Sequence, residues 1–252
     1  MKYYVVADIH GFYTEFIEAL TSKGYFEDTT PHKLIICGDI YDRGSEAKKI
    51  QDFILDLMAK DDVILIKGNH EDLLLSLLNN WSRGAYLQQQ HFSNGTLDTV
   101  TQLTGYSVTD MFLRNDEVGK GLLNNISIQS IIPKMLDYYE SDNYIFVHGW
   151  IPCHYQKENG YQPIKDWRLA SKEQWDEARW INGMEAAHHG IIEPHKTIVC
   201  GHWHCSYGHA KYENDGDEFE NANFEPYYAD GIIALDSCCA LSKKINCIVI
   251  ED

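Results

Sequence analysis

The sequence has little positive charge and no long apolar run. Its 252 residues include 21 Lys and Arg against 38 Asp and Glu, which gives a formal net charge of −17. Because nucleic-acid backbones are bound by clusters of basic residues, nucleic acid is not an expected partner. No segment approaches the roughly 20 apolar residues of a membrane span, and the first apolar run is too short for a secretion signal. We therefore expect a cytoplasmic protein without a membrane partner.

Paired cysteines and low-complexity segments are also missing. The seven cysteines form an odd number and show no repeated C-x-x-C spacing. Several of them lie in or beside apolar runs, where cysteine behaves as a small hydrophobic residue. This argues against a disulfide scaffold and favours a reduced chain. Hydrophobic residues make up 44% of the sequence, enough for a substantial core in one large α/β domain.

Five short polar motifs each follow a short apolar run. They are Asp8-Ile9-His10, Gly38–Gly44, Gly68–Glu71, His148-Gly149 and Gly201–His204. Folds of the α/β class build their sites at strand ends, so these motifs are expected to meet. Their carboxylates, imidazoles and one amide, without thiolates, suit Mn, Fe, Zn or Mg-like ions. The pattern predicts a two-metal hydrolytic centre.

The apolar pattern predicts alternating strands and helices at the start of the chain. Strands are expected at 2–7, 33–37 and 63–66, and helices at 12–20, 45–58 and 71–78. This alternation indicates a mostly parallel sheet with crossover helices. Helical patterns, including 126–139, then predict a helical cap over the site. Further on, residues 153–170 read as loop and 171–187 as helix, and strands at 197–200, 232–236 and 246–250 predict a second sheet of antiparallel pairs.

A pair of divalent ions about 3.5–4 Å apart can clamp the attacking and leaving oxygens of a displacement at phosphorus. Such a pair needs a bridging ligand, and Asp39 is the candidate for it. The first ion is completed by three further residues, Asp8, His10 and His204. The second ion is held by Asn69, His148 and His202. A bridging water, with its pKa lowered by both cations, is the expected nucleophile for in-line attack.

Three residues fit roles outside the metal shell. His70 follows Asn69 directly and is expected to act as general acid on the leaving-group oxygen. Asp42 is expected to orient and stabilise that imidazole. Arg43 carries a planar, two-pronged donor for phosphoryl oxygens. We therefore assign His70, Asp42 and Arg43 as the catalytic group, with Arg43 and Asn69 also binding substrate.

These motifs resemble a known family. G-D-x-x-D-R-G and G-N-H-E, with D-x-H-G upstream and single histidines downstream, resemble the phosphoprotein phosphatase branch of the calcineurin-like metallophosphoesterases. The lambda-type phosphatases and symmetrical diadenosine tetraphosphate hydrolases are the most similar members. The segment Phe92–Thr99 resembles their W-x-x-N-G-G-x-x-T, and Asp236-Ser237-Cys238 resembles their I-D-T/S-G-C strand. Gly201–His204 has the G-H-x-H form of the wider superfamily, which supports His204 as a ligand.

The resemblance implies a fold and a set of cofactors. The fold is a β-sandwich of two mixed sheets flanked by helices. We expect one domain over residues 1–252, with residues 81–140 as an inserted helical cap. Two divalent ions are implied, with Mn²⁺ preferred and Fe, Zn or Ni as alternatives. The second phosphate-binding arginine of the family has three candidates, Arg83, Arg168 and Arg179.

The resemblance also implies an activity. We expect hydrolysis of phosphomonoesters of the serine/threonine phosphoprotein type. The first alternative is a dinucleoside polyphosphate hydrolase or nucleotidase, and another is a non-catalytic scaffold that binds metal. A phosphodiesterase or nuclease is disfavoured by the acidic composition and by Arg43. Asn94 is either a turn residue or a substrate-binding residue that holds the cap near the phosphate. Trp167, Trp175 and Trp180 are expected in the core.

Overall fold

A computed structural model describes residues 1–82, 87–158 and 160–252. The elements in chain order are β1 (Lys2–Val6), α1 (Tyr13–Ser22), β2 (His32–Cys37), α2 (Ala47–Lys60), β3 (Val63–Ile66), α3 (Asn69–Ser82), α4 (Gln89–Ser93), α5 (Thr96–Thr104), α6 (Val108–Leu113), α7 (Asn115–Leu123), β4 (Tyr139–Glu140), β5 (Tyr144–Phe146), β6 (Cys153–Gln156), β7 (Gly160–Pro163), α8 (Lys172–Ala178), α9 (Gly183–His188), β8 (Thr197–Cys200), α10 (Cys205–Gly208), β9 (Tyr227–Ala229), β10 (Ile232–Ala234), α11 (Cys239–Ser242) and β11 (Cys247–Glu251). Short π- or 3₁₀-helical segments lie at Ser127–Ile131, Ile132–Lys134, Trp167–Leu169 and His209–Glu213.

Two mixed sheets form the centre of the fold. The first has the order β11-β1-β2-β3, with β1, β2 and β3 parallel and β11 antiparallel to β1. The second has the order β4-β5-β8-β10-β9, with β5, β8 and β10 parallel and an antiparallel strand at each edge. This confirms the predicted mixed α/β architecture. The expectation that the second sheet consists of antiparallel pairs is wrong, because crossover segments between its central strands return the chain in the same direction.

The sheets pack face to face through a layer of buried apolar side chains. Val5 and Ile35 of the first sheet and Phe146 and Val199 of the second belong to one cluster of buried side chains. Successive residues of a strand point to opposite faces, so the intervening residues of the first sheet, such as Val6 and Ile36, face a second cluster with the helices. Burial on both faces explains why these strands are continuous apolar runs in the sequence.

Residues between α3 and β4 form several short helices, as the sequence predicts for the cap. Leu97, Val100 and Val118 from these helices share one buried cluster with the outer face of the first sheet. The predicted helix over 126–139 is wrong, because the chain there forms the short π- and 3₁₀-helical segments and then β4. Pro133 has no backbone N–H to continue an α-helix. The division into a single domain of 1–252 with a cap at 81–140 remains a prediction.

Two further segments differ from their predicted structure. Residues 153–163, expected to be loop, contain the antiparallel hairpin of β6 and β7. Residues 171–187 form two helices, because the Asn182 side chain accepts the Glu185 N–H at 3.2 Å and starts α9 anew.

The structure also bears on the cysteines and on membrane-spanning segments. The seven cysteines are free and buried. In the described part of the chain, no helix combines the length and the apolar character needed to cross a bilayer.

Candidate active site

The five polar motifs lie at the same edge of the two sheets. Asp8, Asp39 and Asn69 follow β1, β2 and β3, and His148 and His202 follow β5 and β8. The motifs touch across the sandwich, since both carboxylate oxygens of Asp8 accept the His202 N–H, at 2.9 and 3.1 Å. These backbone segments approach so closely that a Cβ on Gly68 would lie 2.1 Å from Asp39 Oδ1, and one on Gly201 would lie 2.0 Å from Asp8 Oδ2. Only glycine fits at these two positions.

The backbone at the site adopts a conformation that side chains usually avoid. Positive φ angles occur at six of the predicted site residues, Asp8 (53°), His10 (48°), Asp39 (54°), Asp42 (72°), Arg43 (65°) and His202 (68°). Such residues, most of all a long side chain such as arginine, persist only where the surrounding structure enforces them, and they concentrate at functional sites. The strain therefore marks the same edge that the motifs predict.

Asp39 stands at the centre of the candidate ligands. Its Oδ2 atom lies 3.6 Å from His10 Nε2 and 3.4 Å from His148 Nε2. Two groups of ligand atoms, each within 4.8 Å of one another, share this residue. They are His10 with Asp39 and His70, and Asp39 with His148 and His202. A carboxylate shared by two such groups fits the bridging position that the sequence assigns to Asp39.

Backbone carbonyls orient the histidines towards Asp39. The Nδ1 atoms of His10 and His148 lie 2.9 and 2.8 Å from the carbonyl oxygens of Tyr41 and Cys37. The His202 ring hydrogen-bonds the backbone of Trp180. A ring N–H held by a carbonyl fixes the tautomer and leaves the opposite nitrogen for a metal ion. Such an arrangement is typical of metal-binding histidines.

The protonation of these groups fits cation binding. Burial, together with Arg43, holds the pKa of His10 well below its usual range, and burial lowers the pKa of His202 to about 3. Both imidazoles are therefore neutral and available as ligands. Burial also opposes the charge on Asp39, yet His148 and the neighbouring histidines hold its pKa well below the usual range. Against the lowering effect of burial, Asp39 in turn raises the pKa of His148 to about 10. A proton on His148 thus occupies the place that a bound cation would take.

The amide of Asn69 joins the second group. Its Oδ1 atom lies 2.8 Å from His148 Nε2, so amide oxygen and imidazole nitrogen face the same space. Asn69, His148 and His202 therefore stand together as the sequence predicts for the second ion.

Asp8 and His204 lie beside the centre, outside both groups. Asp8 Oδ1 is 3.8 Å from His10 Nε2, and burial followed by the charge of Asp236 raises the Asp8 pKa well above its usual value. His204 Nε2 is 3.8 Å from Asp236 Oδ2. That Asp236 oxygen is buried and has no hydrogen-bond partner among the described residues. Two buried carboxylates close together with an unsatisfied oxygen are expensive unless a cation neutralises them, so the residues present fit a metal ion here.

A second set of contacts holds His70. Its Nδ1 atom lies 2.8 Å from Asp42 Oδ2. The hydroxyls of Thr96 and Thr99 donate to the two carboxylate oxygens of Asp42, at 2.8 and 2.7 Å. Burial alone would lower the His70 pKa, but Asp39 and Asp42 outweigh it and raise the pKa above its ordinary value. His70 is thus an oriented imidazole whose surroundings favour its protonated form, as a general acid requires.

Arg43 closes the exposed side of the centre. Its Nη1 and Nη2 atoms lie 2.9 and 3.3 Å from Nε2 of His10 and of His70. The side chain is exposed, so it can turn towards an incoming anion. The guanidinium therefore lies between the predicted metal ligands and solvent, where a phosphoryl group would arrive.

Several supporting residues have no role in the sequence prediction. Glu71 is fully buried, and its carboxylate accepts the backbone N–H groups of Gly68, Asp39 and Ile40 at 2.8 to 3.0 Å. It fixes the loop of Asp39 to the loop of Asn69. Glu71 belongs to the G-N-H-E motif, so its signal was present in the sequence. Thr96 and Thr99 lie in the segment that resembles the family, but their contact with Asp42 was not predicted.

The remaining candidates make other contacts. The Asn94 side chain donates to the Gln90 carbonyl oxygen at 2.9 Å, which matches the turn-residue alternative more closely than the substrate-binding one. Arg168 is paired with Glu140 and Glu193. Arg179 is paired with three carboxylates, those of Asp72, Asp137 and Asp176. Both arginines are thus ion-paired in this structure, Arg83 lies outside the described residues, and the choice of the second phosphate-binding arginine remains a prediction.

Comparisons with known proteins agree with this geometry. The profile of the calcineurin-like phosphoesterase family matches residues 1–234. The zinc-dependent endopolyphosphatase of Saccharomyces cerevisiae is 25% identical over 186 residues, which cover 69% of this chain and 56% of that protein. A symmetrical bis(5'-nucleosyl)-tetraphosphatase of Buchnera aphidicola is 29% identical over 131 residues, which cover 51% of this chain and 45% of that protein. The chain thus spans about half the length of these curated relatives.

Solved structures share the fold. A mutant of a cold-active protein tyrosine phosphatase superposes with a TM-score of 0.54 at 18% identity, covering 100% of this chain and 75% of that one. A putative diadenosine tetraphosphatase gives a TM-score of 0.51 at 16% identity, covering 99% and 89%. Identities this low establish the architecture alone.

Proposed function

This chain belongs to the calcineurin-like phosphoesterases, and from that premise we propose that it is a dinuclear-metal-dependent hydrolase of phosphomonoesters. The observation that carries the proposal is the position of His70. Its Nε2 atom faces the ligands grouped around Asp39, while Asp42 holds its Nδ1 atom. An oriented imidazole whose surroundings favour its protonated form, beside a set of metal ligands, fits cleavage of a phosphoric ester, and binding alone does not require it.

The residues would hold two divalent cations. Asp8, His10, Asp39 and His204 would bind one, and Asp39, Asn69, His148 and His202 the other. When bound, the cations supply Lewis-acid activation of water and of the phosphoryl group. We propose Mn²⁺, with Fe, Zn or Ni as alternatives, since oxygen and imidazole ligands accept all of these.

The chain's own groups then act on the substrate. Arg43 binds two phosphoryl oxygens through its planar donors and orients the ester. His70 donates its proton to the departing alkoxide, and Asp42 stabilises the imidazole before transfer. Thr96 and Thr99 keep the Asp42 carboxylate in place, so that it holds the Nδ1 side of the ring and leaves Nε2 facing the substrate.

Two substrate classes compete for this site. Serine and threonine phosphoesters are the first, because the motifs resemble the phosphoprotein phosphatase branch. Nucleotides, including dinucleoside polyphosphates, are the second, and the named tetraphosphatase relatives favour them. A cytoplasmic location is proposed for either class.

The test uses metal-stripped protein to which Mn²⁺ is added. Release of p-nitrophenol from p-nitrophenyl phosphate, and little from bis-p-nitrophenyl phosphate, is expected. Preference for the diester would replace the proposal by a phosphodiesterase. No turnover of either compound with two metals bound would favour a non-catalytic scaffold. A phosphoserine peptide and diadenosine tetraphosphate, assayed side by side, then distinguish the two substrate classes.

A further inference from the structure

The six tryptophans divide into two groups by exposure. Trp81, Trp150, Trp167 and Trp175 are at most 6% exposed and belong to the cores. Trp180 and Trp203 are 52% and 37% exposed. The prediction that Trp180 is a core residue is therefore wrong, although it is right for Trp167 and Trp175. Isolated exposed apolar side chains are common, so exposure alone does not indicate a site.

The positions of the two exposed rings supply the second observation. The Trp180 ring lies edge-on to the His202 ring, with centroids 5.8 Å apart, and the Trp203 ring does the same at 6.0 Å. The two solvent-exposed tryptophans thus both border the same candidate metal ligand, His202. Tyr207 makes a further edge-to-face contact with Trp203, with ring centroids 6.0 Å apart.

Trp180 also borders open space. It lines a cavity of about 420 Å³ between α3 and α8, and Lys67 and Lys172 line the same cavity. Both lysines are ion-paired, with Asp72 and Asp176. A ligand in this space therefore meets few uncommitted cations, and Trp180 supplies an aromatic face on which it can stack.

We propose that Trp180 and Trp203 form a subsite that binds the nucleobase of a nucleotide whose phosphate lies at the Asp39 centre. Every base has a flat face that stacks on aromatic side chains. In an aryl phosphate the aromatic ring is bonded directly to the ester oxygen. The ring would therefore stay over the metal ligands. A ribose between phosphate and base moves the base away from the metal ligands, to the rings that border His202. The inference rests on the proposed hydrolysis and narrows its substrate class.

The test compares two substrates that differ only in the base, adenosine 5'-monophosphate and ribose 5-phosphate. The wild-type protein should favour the adenosine compound in kcat/KM. Stacking contributes about 1–3 kcal/mol per base, so Trp180→Ala or Trp203→Ala should lower this kcat/KM by about 5- to 150-fold, mainly through KM. Turnover of ribose 5-phosphate should not change. Trp180→Phe should restore part of the preference, because phenyl also stacks.

Control measurements distinguish a failure of the proposed subsite from a failure of the proposed hydrolysis. Phe112→Ala, which removes an exposed ring on α6, should leave both substrates unaffected. Equal wild-type kcat/KM for the two substrates would overturn the subsite, as would an equal loss for both in the tryptophan variants. If no phosphate is released from any substrate, the proposed hydrolysis fails. Calorimetric binding of adenosine 5'-monophosphate to the Mn²⁺-loaded protein then decides the subsite, which is refuted if binding is absent or insensitive to Trp180→Ala.

Discussion

Replacing His70 by asparagine tests the role on which the proposed mechanism depends. The imidazole lies with Nδ1 2.8 Å from Asp42 Oδ2 and Nε2 3.9 Å from Asp39 Oδ2. Asparagine is polar and of similar size, but it has no proton to transfer at neutral pH. Losing a general acid typically costs about 10²- to 10⁴-fold in rate, which corresponds to roughly 2.7–5.5 kcal/mol of barrier. The fall should appear in kcat.

The size of the loss should depend on the leaving group. An alkoxide, as from ribose 5-phosphate, needs a proton as it departs, so the full loss is expected for this substrate. Nitrophenolate is a stable anion and needs little protonation, so p-nitrophenyl phosphate should lose less. Rates for both substrates, measured with saturating Mn²⁺ in the wild type and in His70→Asn, give the comparison.

The metal content of the same variant provides the control. His70 lies within 4.8 Å of the ligand atoms of His10 and Asp39, so it is close enough to be a ligand itself. With His70 as general acid, His70→Asn should retain its metal by elemental analysis. Loss of one equivalent, with an equal fall in rate for both substrates, would refute the general-acid role and make His70 a ligand.

Three further variants test the surrounding residues. Asp39→Asn should lose both metal occupancy and activity, because one carboxylate serves both ions; full activity would exclude the bridging role. Asp42→Asn should shift the basic limb of the kcat pH profile to lower pH. The reason is that Asp39 and Asp42 raise the pKa of His70 against the effect of burial, so without Asp42 the acid loses its proton earlier. A shift to higher pH would contradict this. Asp236→Asn should weaken binding of one metal ion by about 10- to 100-fold, because it removes the carboxylate that lies beside the candidate ligand His204. Unchanged metal affinity in equilibrium dialysis would exclude this role of Asp236.

Local sequence patterns were sufficient to predict that the candidate site residues come together. Asp8, Asp39 and Asn69 each follow a buried strand, and parallel strands bring their carboxyl ends to one edge. The contacts that support the site could not be predicted in this way. Thr96 and Thr99 reach Asp42 across 54 and 57 residues of chain, and only the packing of α5 brings them together.

The sequence was less informative about polar strands and about helix faces. The hairpin of β6 and β7 is short and mostly exposed, so it lacks the apolar run that marks a strand. Trp180 lies five residues after Trp175, which would turn it roughly 140° from the Trp175 face even on a continuous helix, and α8 ends at Ala178. The ring therefore leaves the helix face on which Trp175 is buried and lies beside His202 instead. Helical spacing predicts burial only as far as the helix extends.

The most direct test of the central claim is a titration of the metal-stripped protein with Mn²⁺, followed by release of p-nitrophenol from p-nitrophenyl phosphate. If the chain is a hydrolase whose two metal sites share Asp39, activity should be absent without metal and should saturate as the second equivalent binds. Full activity of the stripped protein in the presence of a chelator would contradict the claim. Two bound equivalents without any hydrolysis would contradict it equally.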